Sequence, residues 1–286
     1  MKDLIRCISV AALLVLVAVG FAWAGDGGDD EACMACHEDL AGALAKTVHG
    51  LTLRGTPGCQ DCHGDGTAHM EEGDPSLISI PAGKDGQSAC LTCHDTNMLN
   101  ATGVTSVHAE AEIFCMDCHS IHGAAAESTS LLGMCADKLC STCHIAEASS
   151  FRKPYGHRLE GDVMNCVSCH NPHTGAGAKS LVLDRSGQGP CVTCHAEKRG
   201  PFTYPHVGDT AGDCMSCHEA HGSTSPMALT RSRVDQLCLE CHSPITAGTL
   251  GSMPPSIHEL SNPRYRNCTV CHVAIHGSNT SPTLFR

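Results

Sequence analysis

Apolar residues are unevenly spread along this chain of 286 residues. From Ile8 to Phe21 they run almost without interruption behind Lys2 and Arg6, and Ala22, Trp23 and Ala24 then place small residues at cleavage-site positions. A positive head, a short apolar run and small residues are the layout of an export signal, here residues 1–24. The run falls short of the ~20 apolar residues that a spanning helix needs, and Cys7 precedes it, where a lipoprotein cysteine would follow. A retained anchor helix is the alternative. The mature chain is read as Gly25–Arg286, with no transmembrane helix of its own.

Beyond residue 24 the chain is poor in core-forming side chains. Its aromatics there are Phe114, Phe151, Phe202, Phe285, Tyr155, Tyr204 and Tyr265, and Trp23 leaves with the signal. So few large side chains cannot fill the interior of one or two ordinary domains. The pattern predicts mostly coil, with short helices at recurrent cysteine motifs, Gly/Pro/Ser-rich loops between them and little or no sheet. Something other than polypeptide has to supply the core.

Cysteine placement names it. Twenty of the 22 cysteines fall in ten copies of C-x-x-C-H. The copies are Cys33, Cys36, His37; Cys59, Cys62, His63; Cys90, Cys93, His94; Cys115, Cys118, His119; and Cys140, Cys143, His144. They continue with Cys166, Cys169, His170; Cys191, Cys194, His195; Cys214, Cys217, His218; Cys238, Cys241, His242; and Cys268, Cys271, His272. Cysteines at i and i+3 share one face of a helical turn, from which each can bond a haem vinyl group. The adjacent His then becomes the proximal iron ligand. Zinc sites of two Cys and two His set their histidines away from the cysteine pair, and a disulfide scaffold leaves the ten histidines unexplained. The implied cofactors are ten covalently bound haem c groups, whose apolar faces supply burial worth roughly 25 cal/mol per Å².

One further histidine follows each motif: His49, His69, His108, His122, His157, His173, His206, His221, His258 and His276. Ten of ten in strict alternation point to distal ligands, so that each iron carries two axial histidines. Met70, Met98, Met116 and Met215 are the competing donors, but histidine supply matches demand. The gaps from motif His to extra His are 12, 14, 13, 11 and 16 at odd motifs and 6, 3, 3, 3 and 4 at even ones. Units beginning at Cys33, Cys90, Cys140, Cys191 and Cys238 therefore repeat at 57, 50, 51 and 47 residues. The reading is five tandem two-haem units stacked as an elongated row.

His221 lies three residues beyond His218, and three residues reach at most about 10–11 Å. That is too short to pass around a macrocycle rim, so His221 has to serve another iron. The nearest unserved one belongs to His195, with His206 serving His218 in exchange. The same exchange pairs His122 with His94, His108 with His119, His173 with His144 and His157 with His170, and it extends to the first and last units.

Two strong ligands per iron leave no open position for substrate, which argues against an enzyme and for a long-range electron-transfer role. Residues 25–149 hold 19 Asp and Glu against 4 Lys and Arg, whereas residues 150–286 hold 10 against 12. That asymmetry suits different partners at the two ends or a solvated acidic half; nothing suggests nucleic acid. We divide the mature chain into an acidic stretch, 25–138, with units 1 and 2, and a stretch 139–286 with units 3 to 5, forming one continuous decahaem domain.

The haem count, the alternating gaps and the segments "CHAEKRGPF" at 194–202, "CHEAHGS" at 217–223 and "CHVAIHGSN" at 271–279 resemble the periplasmic decahaem cytochromes of the MtrA/DmsE type. That resemblance covers essentially the whole mature chain. It implies a haem wire that enters an outer-membrane porin β-barrel, taking electrons between a periplasmic or inner-membrane cytochrome donor and an extracellular cytochrome or reductase. The alternatives are a soluble periplasmic donor to a dedicated reductase, a filament subunit and a multihaem reductase. Cys135 departs from the pattern as the mature cysteine outside a motif; an inert buried thiol is the expectation, with a cross-link or alternative haem attachment as the others.

Overall fold

A computed structural model describes residues 30–51, 58–94, 107–123, 130–159, 164–173, 178–184, 187–206, 214–242, 258 and 262–285. The expected signal, residues 1–24, lies outside these residues, as do Cys7 and Met98. No helix among the described residues is long and apolar enough to cross a membrane. The chain forms two units, one from residues 1–95 and 112–133, the other from 96–111 and 134–286.

Each attachment motif is a single helical turn. The His N–H donates to the carbonyl of the first Cys, at 3.0 Å for His37, 2.9 Å for His94, His119, His144 and His195, and 2.8 Å for His242. His170, His218 and His272 repeat the bond at 3.0 Å, and His63 closes the helix Cys59–His63. Odd and even motifs sit differently in their turns. Most odd ones end a helix, as in Asp30–Met34, Gly83–Leu91, Ala136–Ser141 and Val234–Cys238. Even ones open a short turn, as in Cys115–Cys118, Cys166–Ser168, Cys214–Ser216 and Cys268–Val270. The seventh motif breaks the rule, because Gly189 and Pro190 precede it and its helix can start only at Cys191; proline lacks the N–H a longer helix would need.

After the even motifs the chain returns onto the motif in isolated antiparallel bridges, His119 to Leu132, His170 to Leu181 and His218 to Leu229. The returns bend through left-handed backbone at Leu131, Lys179, Ser180, Met227 and Ala228. Among the described residues there are such bridges but no strand, which agrees with the expected coil and short helices.

Among the described residues the buried hydrophobic core is Leu131, and no side chain is fully buried. Ile145 and Val270 are each 69% exposed. Polypeptide alone therefore does not cover the apolar side chains this chain has. Some of these exposed side chains stand in or next to a cysteine motif, Ile145 directly after His144 and Val270 inside the tenth motif.

Candidate functional site

The histidines meet in twos. Ring centroids lie 6.1 Å apart for His37 and His69, 5.9 Å for His49 and His94, and 6.0 Å for His63 and His122. His108 and His144 stand at 6.0 Å, His157 and His195 at 6.2 Å, and His170 and His221 at 6.0 Å. His206 and His242 stand at 6.1 Å, His218 and His276 at 6.2 Å, and His258 and His272 at 6.2 Å. Two metal–imidazole bonds of ~2.0 Å, plus roughly 1 Å from each ligating nitrogen to its ring centroid, give about 6 Å. Every pair joins one motif histidine to one extra histidine.

These pairs fit haem c. Among the described residues no three of His, Cys, Asp or Glu converge on a common point. The cysteines stand apart from the histidine pairs, as a macrocycle ligated at its centre and tethered at its rim requires, and as a tetrahedral Cys/His site does not.

The pairing scheme expected from sequence is corrected. His221 does not face His218, as the length argument required, but its partner is His170 rather than His195. His157 takes His195 and not His170; His206 takes His242 and not His218. His122 faces His63 instead of His94, and His108 faces His144, the place expected for His173. His49 lies opposite His94 and His276 opposite His218. The exchange holds only at the ends, where His69 faces His37 and His258 faces His272. By motif number, the long-gap histidine of each of the first four units faces the histidine of the next odd motif, and the short-gap histidines His122, His221 and His276 each face that of the preceding even one. Nearness along the chain misled because the chain crosses itself, as where Tyr155 bridges Ser223 and Tyr204 bridges Ser278, and brings histidines distant in sequence together.

Second contacts fix the rings. Nδ1 of every even-motif histidine faces a carbonyl of the returning chain: His63 and Ser79 at 2.8 Å, His119 and Ser130 at 2.8 Å, His170 and Lys179 at 2.9 Å, His218 and Met227 at 3.0 Å, His272 and Thr283 at 2.6 Å. Among extra histidines, His69 faces the Asp74 carbonyl at 3.0 Å, His108 that of Pro172 at 3.2 Å and His157 that of Ala220 at 3.0 Å. A carbonyl oxygen only accepts, so Nδ1 carries the proton and donates, which sets tautomer and ring plane together and leaves Nε2 able to ligate. Burial first, and the facing histidine next, lowers the affinity of His49, His122 and His221 for a second proton. The neutral imidazole that a metal needs is therefore the favoured form.

Within each of the two units, cysteines of several consecutive motifs adjoin. As a free thiol, Cys59 is pushed up to about 12 by burial first, then by Asp30 and Cys33. Cys90 is raised to about 11 by burial and then by Cys115, and Cys238 to about 12 by burial and then by Cys268. Cys166 holds its proton more strongly through its sulfur contact with Cys140, which is lowered to about 7 by the same contact. Cys62 feels Cys93, and Cys169 feels Cys194, each after burial and, for Cys62, Asp61.

Sequence reading missed the carboxylates behind these contacts. Asp30 Oδ1 accepts from the Cys59 N–H at 2.8 Å, and Asp137 Oδ1 from the Cys166 N–H at 3.0 Å. It also missed Ser223 and Ser278, 6% and 5% exposed, which follow extra histidines by two positions. The segment repeats in "HGS", a signal that could have been taken from the chain. Cys135 is exposed rather than buried, because it stands at the N-cap of the helix Ala136–Ser141.

Comparison with known proteins agrees with this geometry. The doubled CXXCH motif family matches residues 159–200 and 206–247. The multiheme cytochrome MtrA of Shewanella baltica (strain OS185) is 31% identical over 269 residues, 87% of this chain and 78% of that relative.

Proposed function

Because the chain belongs to the family of the multihaem cytochrome MtrA, we propose that it is a decahaem electron conduit with two axial histidines on every iron. At the family's level it is a multihaem c-type cytochrome with covalently bound haem c and an electron-transfer protein. The observation that carries the finer reading is the set of nine imidazole pairs at one common spacing.

Bound haem supplies one-electron cycling between ferric and ferrous iron. The polypeptide does the rest. Twenty motif cysteines would tether the haem edges, and the paired imidazoles would hold each iron from two sides, which would leave substrate no place to bind. The Nδ1–carbonyl bonds hold the planes still and raise the electron donation of the ligand, so the ligand set changes little when an electron arrives. Within each of the two units, adjoining cysteines of successive motifs bring neighbouring ring edges together in chain order, the arrangement that electron hopping needs.

The likeness to MtrA supports a periplasmic placement, an outer-membrane porin β-barrel as partner and an extracellular cytochrome or reductase beyond it. The haem row is proposed to be elongated and to cross that barrel. Two measurements test this. A pyridine haemochrome assay should give ten haems per chain, with resting EPR entirely low-spin; eight or fewer, or a substantial high-spin signal, contradicts the bis-histidine reading. Chain isolated from outer membranes should bring a β-barrel with it and, in vesicles loaded with reduced viologen, pass electrons to an impermeant ferric chelate outside. A chain that is entirely soluble, with no barrel and no transmembrane current, overturns the conduit and leaves a periplasmic donor.

A further inference from the structure

Two chain crossings in the second unit have the same construction. Tyr155 N–H donates to the Ser223 carbonyl at 3.1 Å and Ser223 N–H to the Tyr155 carbonyl at 2.6 Å. Tyr204 and Ser278 exchange the same two bonds at 2.8 and 2.9 Å. Both are isolated antiparallel bridges, so a residue two positions after the tyrosine lies opposite one two positions before the serine. Those residues are His157 with His221, and His206 with His276. Opposed on the bridge, they are turned to different irons: His157 to that of His195 and His221 to that of His170. His206 and His276 likewise divide between His242 and His218.

The crossings are tight and locked. Gly222 has φ +122°, and a Cβ there would sit 2.4 Å from the Ser150 carbonyl oxygen; Gly277 has φ +135°, and its Cβ would meet Phe202 at 2.2 Å. Ser223 Oγ donates to the Leu229 carbonyl at 2.6 Å and accepts from the Ser225 N–H at 2.9 Å. Leu229 is itself bridged to His218. Ser278 Oγ accepts from the N–H groups of Thr280 and Ser281 at 3.2 and 3.0 Å. The buried hydroxyls thus hold each crossing from behind.

We propose that each bridge is a positioning clamp that sets the distal ligands of two successive irons at once, the sixth with the seventh and the eighth with the ninth. These couples straddle the tandem units read from the sequence. They coincide with the doubled-motif matches, of which 159–200 spans the motifs at Cys166 and Cys191 and 206–247 those at Cys214 and Cys238. The proposal rests on the bis-histidine reading.

Spin counting on the full holoprotein tests it. His157→Gly and His221→Gly each remove one ligand and should each give one high-spin haem. Ser223→Pro deletes the bridging N–H while keeping both histidines, and should give two high-spin haems per chain, both returned to low spin by added imidazole. If His157→Gly produces none, the bis-histidine reading fails; if it produces one and Ser223→Pro produces none or one, the clamp alone fails. Should Ser223→Pro carry fewer than ten haems, Gly222→Ala, which keeps every backbone donor, is to yield the same two. General haem loss in both variants overturns a local clamp.

Discussion

His272 and His258 are each faced by an aromatic plate. Phe285 lies 4.9 Å from the His272 ring at 15°, and Tyr265 lies 4.6 Å from the His258 ring at 8°. In the proposed decahaem arrangement His258 and His272 hold the tenth iron, and two of the chain's few aromatics lie against them. Stacking of this kind contributes about 0.5–1.5 kcal/mol. Phe285→Ala or Tyr265→Ala should therefore raise the ligand-off population of one iron severalfold, read as carbon monoxide uptake by one haem of the reduced protein; unchanged uptake would refute the role. Ring planes give a second expectation. His49 and His94 cross at 78° and His108 and His144 at 73°, whereas His218 and His276 lie within 14°. Crossed planes leave the iron orbitals that face the two rings nearly degenerate, so the third and fifth haems should give large-g low-spin EPR signals and the eighth a rhombic one. At this scale the sequence displayed the histidines that pair but not which faces which. Tyr155 and Ser223 are brought together from distant parts of the chain, and no local spacing reports such a crossing.

At the scale of elements, the even attachment turns are too short to satisfy their own first N–H groups. Asp30 and Asp137 do it from the first turn of the preceding odd helix, each 29 residues upstream of the cysteine it caps. Asp30, Gln87, Asp137, Gln188 and Asp235 all stand three residues before an odd motif. Elsewhere the position takes other partners: Gln188 accepts from Arg199 at 2.8 Å, and Asp235 pairs with Arg233. If Asp137 acts as a cap, Asp137→Ala should cost about 0.5–2 kcal/mol, while Asp137→Asn, which keeps the acceptor, should cost little. Thermal unfolding followed at the Soret band decides, and equal losses in the two variants would assign the effect to charge instead. The short helices, and the lack of strands among the described residues, were legible because each motif fixes its own turn. The caps were not, since acceptor and donor lie in different repeats of the pattern and the acceptor alternates between Asp and Gln.

Across the whole molecule the same ligation rule has to stop twice, and the sequence shows where. An inner long-gap histidine faces the histidine of the next odd motif and an inner short-gap one that of the preceding even motif, but the ten motifs hold no such partner for the short-gap histidine of the first unit or the long-gap histidine of the last. His69 therefore turns back to His37 and His258 to His272, each within its own unit. These closures coincide with the two outlying gaps, 6 among the short ones and 16 among the long ones. In the proposed bis-histidine arrangement, a ligand that stays in its unit has to travel around a macrocycle that inner ligands leave behind, and to that path we attribute the extra chain length. Deleting five residues between 243 and 257 would bring the last gap to the 11 of the fourth unit, and deleting Gly64, Asp65 and Gly66 would bring the first to 3. Each deletion should yield ten haems with one high-spin, assigned to the tenth and first irons by loss of that signal when His272 or His37 is also removed together with its motif cysteines. Ten low-spin haems after either deletion would show that closure needs no added length. The outlying gaps would then be incidental to the ligation pattern.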